Sequence, residues 1–241
     1  MKPVLKNSRG ILEVESIDST QTELIKRVRV GDTLVCAILA FEQTAGRGRF
    51  GRNWYSPKDS SLALSFALYD YADWKHPELL GMAVSIAAAK TLDCQIAWPN
   101  DLILNGKKLG GVISELVTEP SGKLVPVIGV GANLTVREFP EEIRTFATSL
   151  VLEGRKVGED SKQLAREYSF SLLGALEEIP EPHSFQDLRP LWEKYDCTPG
   201  KKYKLPNGRV ADAECVSEEG YLIAHVDNQR ITVPSAQAWY G

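Results

Sequence analysis

The chain has 241 residues, 43% hydrophobic and 25% charged, with a formal net charge of −4; this is the composition of a folded protein, not of a disordered or fibrous one. At that length roughly 70–75% of the unfolded surface becomes buried, enough for one large domain with a small appendix. The mildly acidic balance argues against non-specific grip on nucleic acid; with no bilayer-length apolar run and no apolar signal core after Met1, no membrane contact and a cytoplasmic location are expected.

Asp18-Ser19-Thr20 opens the first element, and Thr20 and Glu23 stand at capping-box spacing, which predicts a helix start with Thr20 as its cap. Residues 33–41 form a continuous β-prone apolar run and read as a central strand, while Leu62, Leu64, Phe66 and Leu68 alternate with small residues in a second one. Pro77 occupies a first-turn position of an Ala-rich helix ending at Asp93. Short apolar segments at 94–98, 101–104, 110–118 and 123–130, split by Pro99, Asn105-Gly106 and Ser121-Gly122, imply antiparallel hairpins. Leu164, Tyr168, Leu172 and Leu176 recur every fourth residue and predict a helix over 160–179, with another over 184–195. After Thr198-Pro199-Gly200, β segments at 201–205, 209–217, 220–226 and 229–234 predict a small all-β appendix forming a partly closed barrel. The expected fold is therefore α+β, a mixed and mostly antiparallel sheet with helices, divided into residues 1–196 and 197–241.

Chemistry concentrates in Thr44-Ala45-Gly46-Arg47-Gly48-Arg49-Phe50-Gly51-Arg52, where glycines and arginines share one loop after the first strand. Glycine permits close approach of backbone to a ligand, and guanidinium groups present paired donors to phosphate or carboxylate. Gly46, Gly48 and Gly51 satisfy the letters of the G-x-G-x-x-G dinucleotide fingerprint. That fingerprint must open directly into a helix, whereas Trp54, Tyr55 and Pro57 oppose a helix start. The Gly-Lys-Ser/Thr ending of a Walker A loop is absent. An RNA-binding arginine-glycine tract would be longer and would not follow a core strand. Cys36, Cys94, Cys197 and Cys215 are scattered without metal-ligand spacing and read as reduced thiols. His76, His183 and His225 stand in unrelated contexts and carry no assigned chemistry.

A second constellation spans Trp98-Pro99-Asn100-Asp101 and Lys107-Lys108-Leu109-Gly110-Gly111, followed by Gly129-Val130-Gly131-Ala132-Asn133 and Thr148-Ser149-Leu150. In this order and spacing the motifs resemble those of biotin protein ligases, over essentially residues 11–240. The resemblance implies a class II synthetase-like biotin/lipoate ligase fold with an SH3-like C-terminal barrel. It implies an enzyme that joins biotin to AMP from ATP with Mg²⁺ and passes the biotinyl group to a lysine of a carboxylase's biotin carboxyl carrier domain. A homodimer is expected from the same source, and a start of the ligase-like region near residue 11 implies no repressor module.

Carried over residue by residue, Lys108 and Arg49 would be catalytic, with Lys108 at the junction of carboxylate and α-phosphate. Ser19, Thr20, Gln21, Gln43, Arg47, Gly48, Arg49, Lys108 and Gly111 would line the biotin site. Arg47, Arg49, Arg52, Trp54, Asn100, Asp101 and Asn133 would meet the nucleotide, Trp54 by stacking on adenine and Asp101 by influencing Mg²⁺. Plainer roles exist for several: capping for Ser19 and Thr20, a solvated turn for Lys108, an exposed polar position for Gln43, a half-buried core for Trp54, and turn formation for Asn100 and Asp101. The chain departs from the family pattern at Ala97, where lysine is common, at Gln21, where asparagine is usual, and at Val233-Pro234-Ser235-Ala236-Gln237, where a Gly-Glu pair is usual. Lipoate ligation and non-catalytic biotin sensing remain the alternative functions.

Overall fold

Seven strands build the main sheet of the computed structural model, which describes residues 10–71, 77–234 and 239–240. Their order is β1 (Gly10–Val14), β2 (Val35–Ala40), β5 (Ser61–Ala67), β9 (Leu124–Asn133), β8 (Lys107–Thr118), β7 (Asp101–Leu104) and β6 (Gln95–Ala97). Only β1 and β2 run parallel; every other pair is antiparallel. The N-terminal lead, His76 and Ser235-Ala236-Gln237 lie outside the described residues.

The continuous apolar run of β2 is explained by helices on both faces. Alternation sends Ile38 toward α1 (Thr20–Arg29), where Leu24, Val28, Val117, Val125 and Val127 complete one cluster. Ala37 and Leu39 face the larger cluster under α2 (Pro77–Leu92), α3 (Ser161–Glu177) and α4 (Phe185–Tyr195). Both helices predicted beyond residue 159 and the Pro77 helix are present. The cap of α1 requires correction: Ser19 is the N-cap and accepts from the Thr22 amide at 3.4 Å. Thr20 is the first helical residue, and its hydroxyl is used inside the protein instead.

The Asn105-Gly106 hairpin forms as expected, with φ of 49° and 80° and Leu104 paired to Lys107, the geometry of a two-residue primed turn. The C-terminal segments form an antiparallel sheet in the order β13 (Gln229–Val233), β12 (Leu222–Val226), β11 (Val210–Val216), β10 (Lys202–Lys204) and β14 (Trp239–Tyr240). Among the described residues this is one five-stranded sheet with β13 and β14 at the ends of its order. Its apolar residues, Tyr203, Ala211, Ala213 and Leu222 among them, join the larger cluster of the main sheet.

Candidate active site

On the α1 face of the main sheet, large side chains give way to small ones. The positions that continue Val127 along β9 are Gly129, Gly131 and Asn133; β5 contributes Ser65 and β8 contributes Gly111 and Ile113. The opposite face of the same strands keeps Leu64, Phe66, Ile128, Val130 and Val112 in the core. The result is a hollow over bare backbone, walled by α1, the loop after Ala40 and the segment 139–147.

The arginine loop is the turn of a hairpin between β3 (Gln43–Arg47) and β4 (Asn53–Ser56), not the entry to a helix. This is what the aromatic pair and Pro57 implied against a dinucleotide fingerprint. Its tip, Phe50, is exposed and sits at φ 58°, with the Arg49 and Arg52 guanidinium groups 4.8 and 5.8 Å from its ring centre. Arg49 reaches back into the cavity and donates to Asn100 Oδ1 at 2.7 Å, while burial lowers its pKa from the ordinary arginine value. Arg47 lies further out, 3.4 Å from Glu115, with side-chain exposures of 44% and 38%; an ion pair this wet is weak and easily exchanged.

Lys108 owes its direction to a bulge. Leu102 pairs with Gly110 but Ile103 with Lys108, so Leu109 is an extra residue in β8. Strict alternation from Gly111 would turn Lys108 to the core; the bulge gives that place to Leu109 and aims Lys108 into the cavity. Its backbone is fixed on the other side by Lys108 N donating to Phe146 O at 2.7 Å and by Thr148 N donating to Lys108 O at 2.9 Å. Lys108 Nζ donates to Asp101 Oδ1 at 2.6 Å, with side-chain exposures of 23% and 10%. The plain reading of Lys108 as a solvated turn lysine is thereby replaced.

The other end of the cavity is a network of neutral side chains bordered by one carboxylate, Glu115, the partner of Arg47. Gln43 Oε1 accepts from the Thr20 amide at 2.9 Å and from Thr20 Oγ1 at 3.2 Å. Thr20 Oγ1 and Ser65 Oγ are 2.8 Å apart, and Ser65 donates to Gln21 Oε1 at 3.1 Å. Gln21 Nε2 then donates to Val127 O at 3.1 Å and to Glu115 Oε1 at 3.2 Å. A Cβ at Gly129 would stand 2.8 Å from Gln21 Oε1, so that glycine is what lets the longer amide lie on the sheet. Ser19 lines the same end.

Trp54 lies flat against β9, where a Cβ at Gly131 would be 2.7 Å from its ring; its Nε1 is buried without a partner. Asn133 Nδ2 donates to Thr148 O at 2.9 Å, leaving Asn133 Oδ1 buried and unpartnered. Arg52, Gly48 and Gly111 complete the wall, so every residue singled out from the sequence borders this one cavity. Sequence reasoning passed over Ser65, Glu115 and the aromatic rim of Tyr55, Phe139 and Phe146, and it noted Gly129 and Gly131 as a motif without giving them a place in the site. Ser65 had a signal, a hydroxyl in an otherwise apolar strand, and the alternation Gly129-x-Gly131-x-Asn133 marks one bare sheet face. Phe139 and Phe146 sit in irregular chain and had none.

Among the described residues no group of three or more His, Cys, Asp or Glu is placed to cage a metal. The donor set fits Mg²⁺ nonetheless, since that ion takes one or two protein oxygens and fills its shell with water and phosphate. Asp101 and the unpartnered Asn133 Oδ1 are such oxygens on the cavity wall.

Residues 13–133 match the biotin/lipoate A/B protein ligase family. The chain is 31% identical over 191 residues to the bifunctional ligase/repressor BirA of Bacillus spizizenii, covering 76% of this chain and 57% of that protein. It is 30% identical over 237 residues to the biotin–[acetyl-CoA-carboxylase] ligase of Mycobacterium tuberculosis, covering 91% of this chain and 85% of that one. Its fold matches the Aquifex aeolicus biotin protein ligase solved with biotin and ATP, with TM-score 0.70, 28% identity and coverage of 95% and 97%. The chain thus spans little more than half of the BirA relative and nearly all of the Aquifex aeolicus enzyme. The bulged lysine, the arginine hairpin and the bare sheet face are features of a chain that belongs to the biotin/lipoate A/B protein ligase family.

Proposed function

We propose that this chain is an ATP-dependent biotin protein ligase. The observation that carries the reading is the polarity of one cavity: a mainly neutral hydrogen-bonding end under α1, with Arg47 at its rim against Thr22 and Glu115, and an opposite end where Arg49, Arg52 and Lys108 gather about Asn100 and Asp101. Biotin has the matching form, a cyclic urea at one end and a carboxylate at the other. Ser19, Thr20, Gln21 and Gln43 offer neutral donors and acceptors to the urea, and the carboxylate extends toward Lys108 over Gly111.

In the first step a biotin carboxylate oxygen bonds to the α-phosphorus of ATP, the bond from that phosphorus to the bridging oxygen breaks, and pyrophosphate leaves. Anion meets anion, so the protein's task is electrostatic. Lys108 stands where it can leave Asp101 for the developing charge, and an ammonium gains strength there as water is excluded. Arg47, Arg49 and Arg52 neutralise phosphate, with Asn100 orienting Arg49. Trp54 offers a flat face to adenine and Asn133 Oδ1 an acceptor. Mg²⁺ bound with ATP would find Asp101 and Asn133 as oxygen ligands and would offset phosphate charge. In the second step an amine attacks the acyl carbon and AMP departs. The acceptor is a lysine of a biotin carboxyl carrier domain, supported by the names of the related ligases, and the working unit is a homodimer in the cytoplasm, testable by sedimentation and fractionation.

The test is incubation with ATP, Mg²⁺, labelled biotin and a carrier domain, following carrier labelling and biotin-dependent pyrophosphate exchange. Both are expected. Biotin binding with neither reaction would establish a sensor instead, and preferential use of lipoate would establish a lipoate ligase.

A further inference from the structure

The segment that holds two of the site's cations is itself held by the C-terminal sheet. Trp98 is fully buried and directly precedes the Pro99-Asn100-Asp101 turn. Its indole Nε1 donates to Gly220 O at 2.9 Å, across 122 positions of sequence. Its amide donates to Thr198 Oγ1 at 2.9 Å, and its ring meets Tyr203 edge-on at 5.9 Å between centroids. Thr198, Tyr203 and Gly220 all belong to the C-terminal part, and Thr198 and Tyr203 are as fully buried as Trp98. Two residues onward, Asn100 accepts from Arg49, donates to Val112 O at 2.5 Å and receives the Val112 amide on its carbonyl at 3.0 Å. Asp101 accepts from Lys108. The path from the C-terminal part to Arg49 and Lys108 is therefore short: buried hydrogen bonds onto Trp98, the backbone from Trp98 to Asp101, and part-buried hydrogen bonds from Arg49 to Asn100 and from Lys108 to Asp101.

We propose that Trp98 is a positioning residue, through which the C-terminal sheet sets the placement of Arg49 and Lys108 for biotin activation. The inference rests on the ligase reading. It explains why a polar ring N–H is spent inside an apolar cluster: a phenylalanine would fill most of the space, but only the indole pins the turn to Gly220. The neutral end of the cavity, built on α1, β3 and β5, does not depend on this link.

The experiment compares the full-length chain with Trp98→Phe and with Thr198→Val, which keeps side-chain volume and removes the hydroxyl. Three quantities are read: biotin affinity, kcat and KM for MgATP in pyrophosphate exchange per folded molecule, and amide exchange at Val112. A displaced catalytic group commonly lowers rate by one to two orders of magnitude. About a tenfold fall in kcat is expected for Trp98→Phe and a smaller one for Thr198→Val, with biotin affinity within about twofold of the parent and faster exchange at Val112. A structural role alone would lower melting temperature while leaving kcat, KM and Val112 exchange of the folded fraction unchanged, and that result overturns the proposal. If the parent itself fails to exchange pyrophosphate, the ligase reading falls. The positional link is then judged by Val112 alone, faster exchange supporting it and unchanged exchange refuting it.

Discussion

The two ends of the cavity are built on opposite plans. At the neutral end, Thr20, Gln21, Gln43 and Ser65 satisfy one another through bonds of 2.8 to 3.2 Å, on regular elements and behind buried surface. At the cationic end, Arg49 and Lys108 rest on Asn100 and Asp101, groups that an anionic ligand can replace. A preset end is suited to recognition, because its donors and acceptors need no reorganisation when a neutral head group arrives. An end with exchangeable partners is suited to chemistry, because its charges move to where negative charge develops. The difference teaches that binding and turnover should fail separately.

Lys108→Ala is the hardest test of that separation. Loss of one group that stabilises developing charge costs on the order of 10²–10³ in rate, so pyrophosphate exchange should fall by that factor while biotin affinity and melting temperature stay near the parent values. Arg49→Gly should speed adenylate release by about tenfold, since a cation beside the nucleotide and its part-buried, charge-assisted hydrogen bond to Asn100 are lost. Labelling of bystander lysines would report the escaped adenylate, and release at the parent rate would show that Arg49 does not retain it. Gly131→Ala places a methyl 2.7 Å from the Trp54 ring; the ring must shift, and KM for ATP should rise by about tenfold, measured by initial rates, with biotin affinity unchanged. Gln21→Ala acts at the other end. It removes one of the two partners of Ser65 and the side-chain donor to Val127 O and Glu115, so biotin binding by calorimetry should weaken by about fivefold and stability should drop by about 1–3 kcal/mol, with kcat at saturating biotin preserved.

Most of the fold was legible because each element carried a local signal. The apolar run of β2, the four-residue stripe of α3 and the primed Asn105-Gly106 turn all formed where periodicity and turn chemistry placed them. What escaped depends on contacts distant in sequence. Ser19 rather than Thr20 caps α1 because the Thr20 hydroxyl is drawn to Gln43 and Ser65, far along the chain. The Leu109 bulge, which decides where Lys108 points, is a register slip against β7 and has no signature in the order Lys-Leu-Gly-Gly. The pairing of β14 with β10 across more than thirty residues is likewise a long-range property that repeated strand-turn spacing does not reveal. For the site, the motifs named the residues and the sheet's alternation explains their assembly. Glycines 111, 129 and 131 share a face with Ser65 and Asn133, a pattern hidden until β5, β8 and β9 are laid side by side.

The division between the ends is tested most directly by measuring biotin affinity and the kcat of biotin-dependent pyrophosphate exchange on Lys108→Ala and Gln21→Ala in parallel. The account predicts a crossed result: Lys108→Ala loses rate and keeps affinity, whereas Gln21→Ala loses affinity and keeps rate at saturation. If both variants lose both quantities in proportion, the cavity works as one undivided unit and the account is wrong.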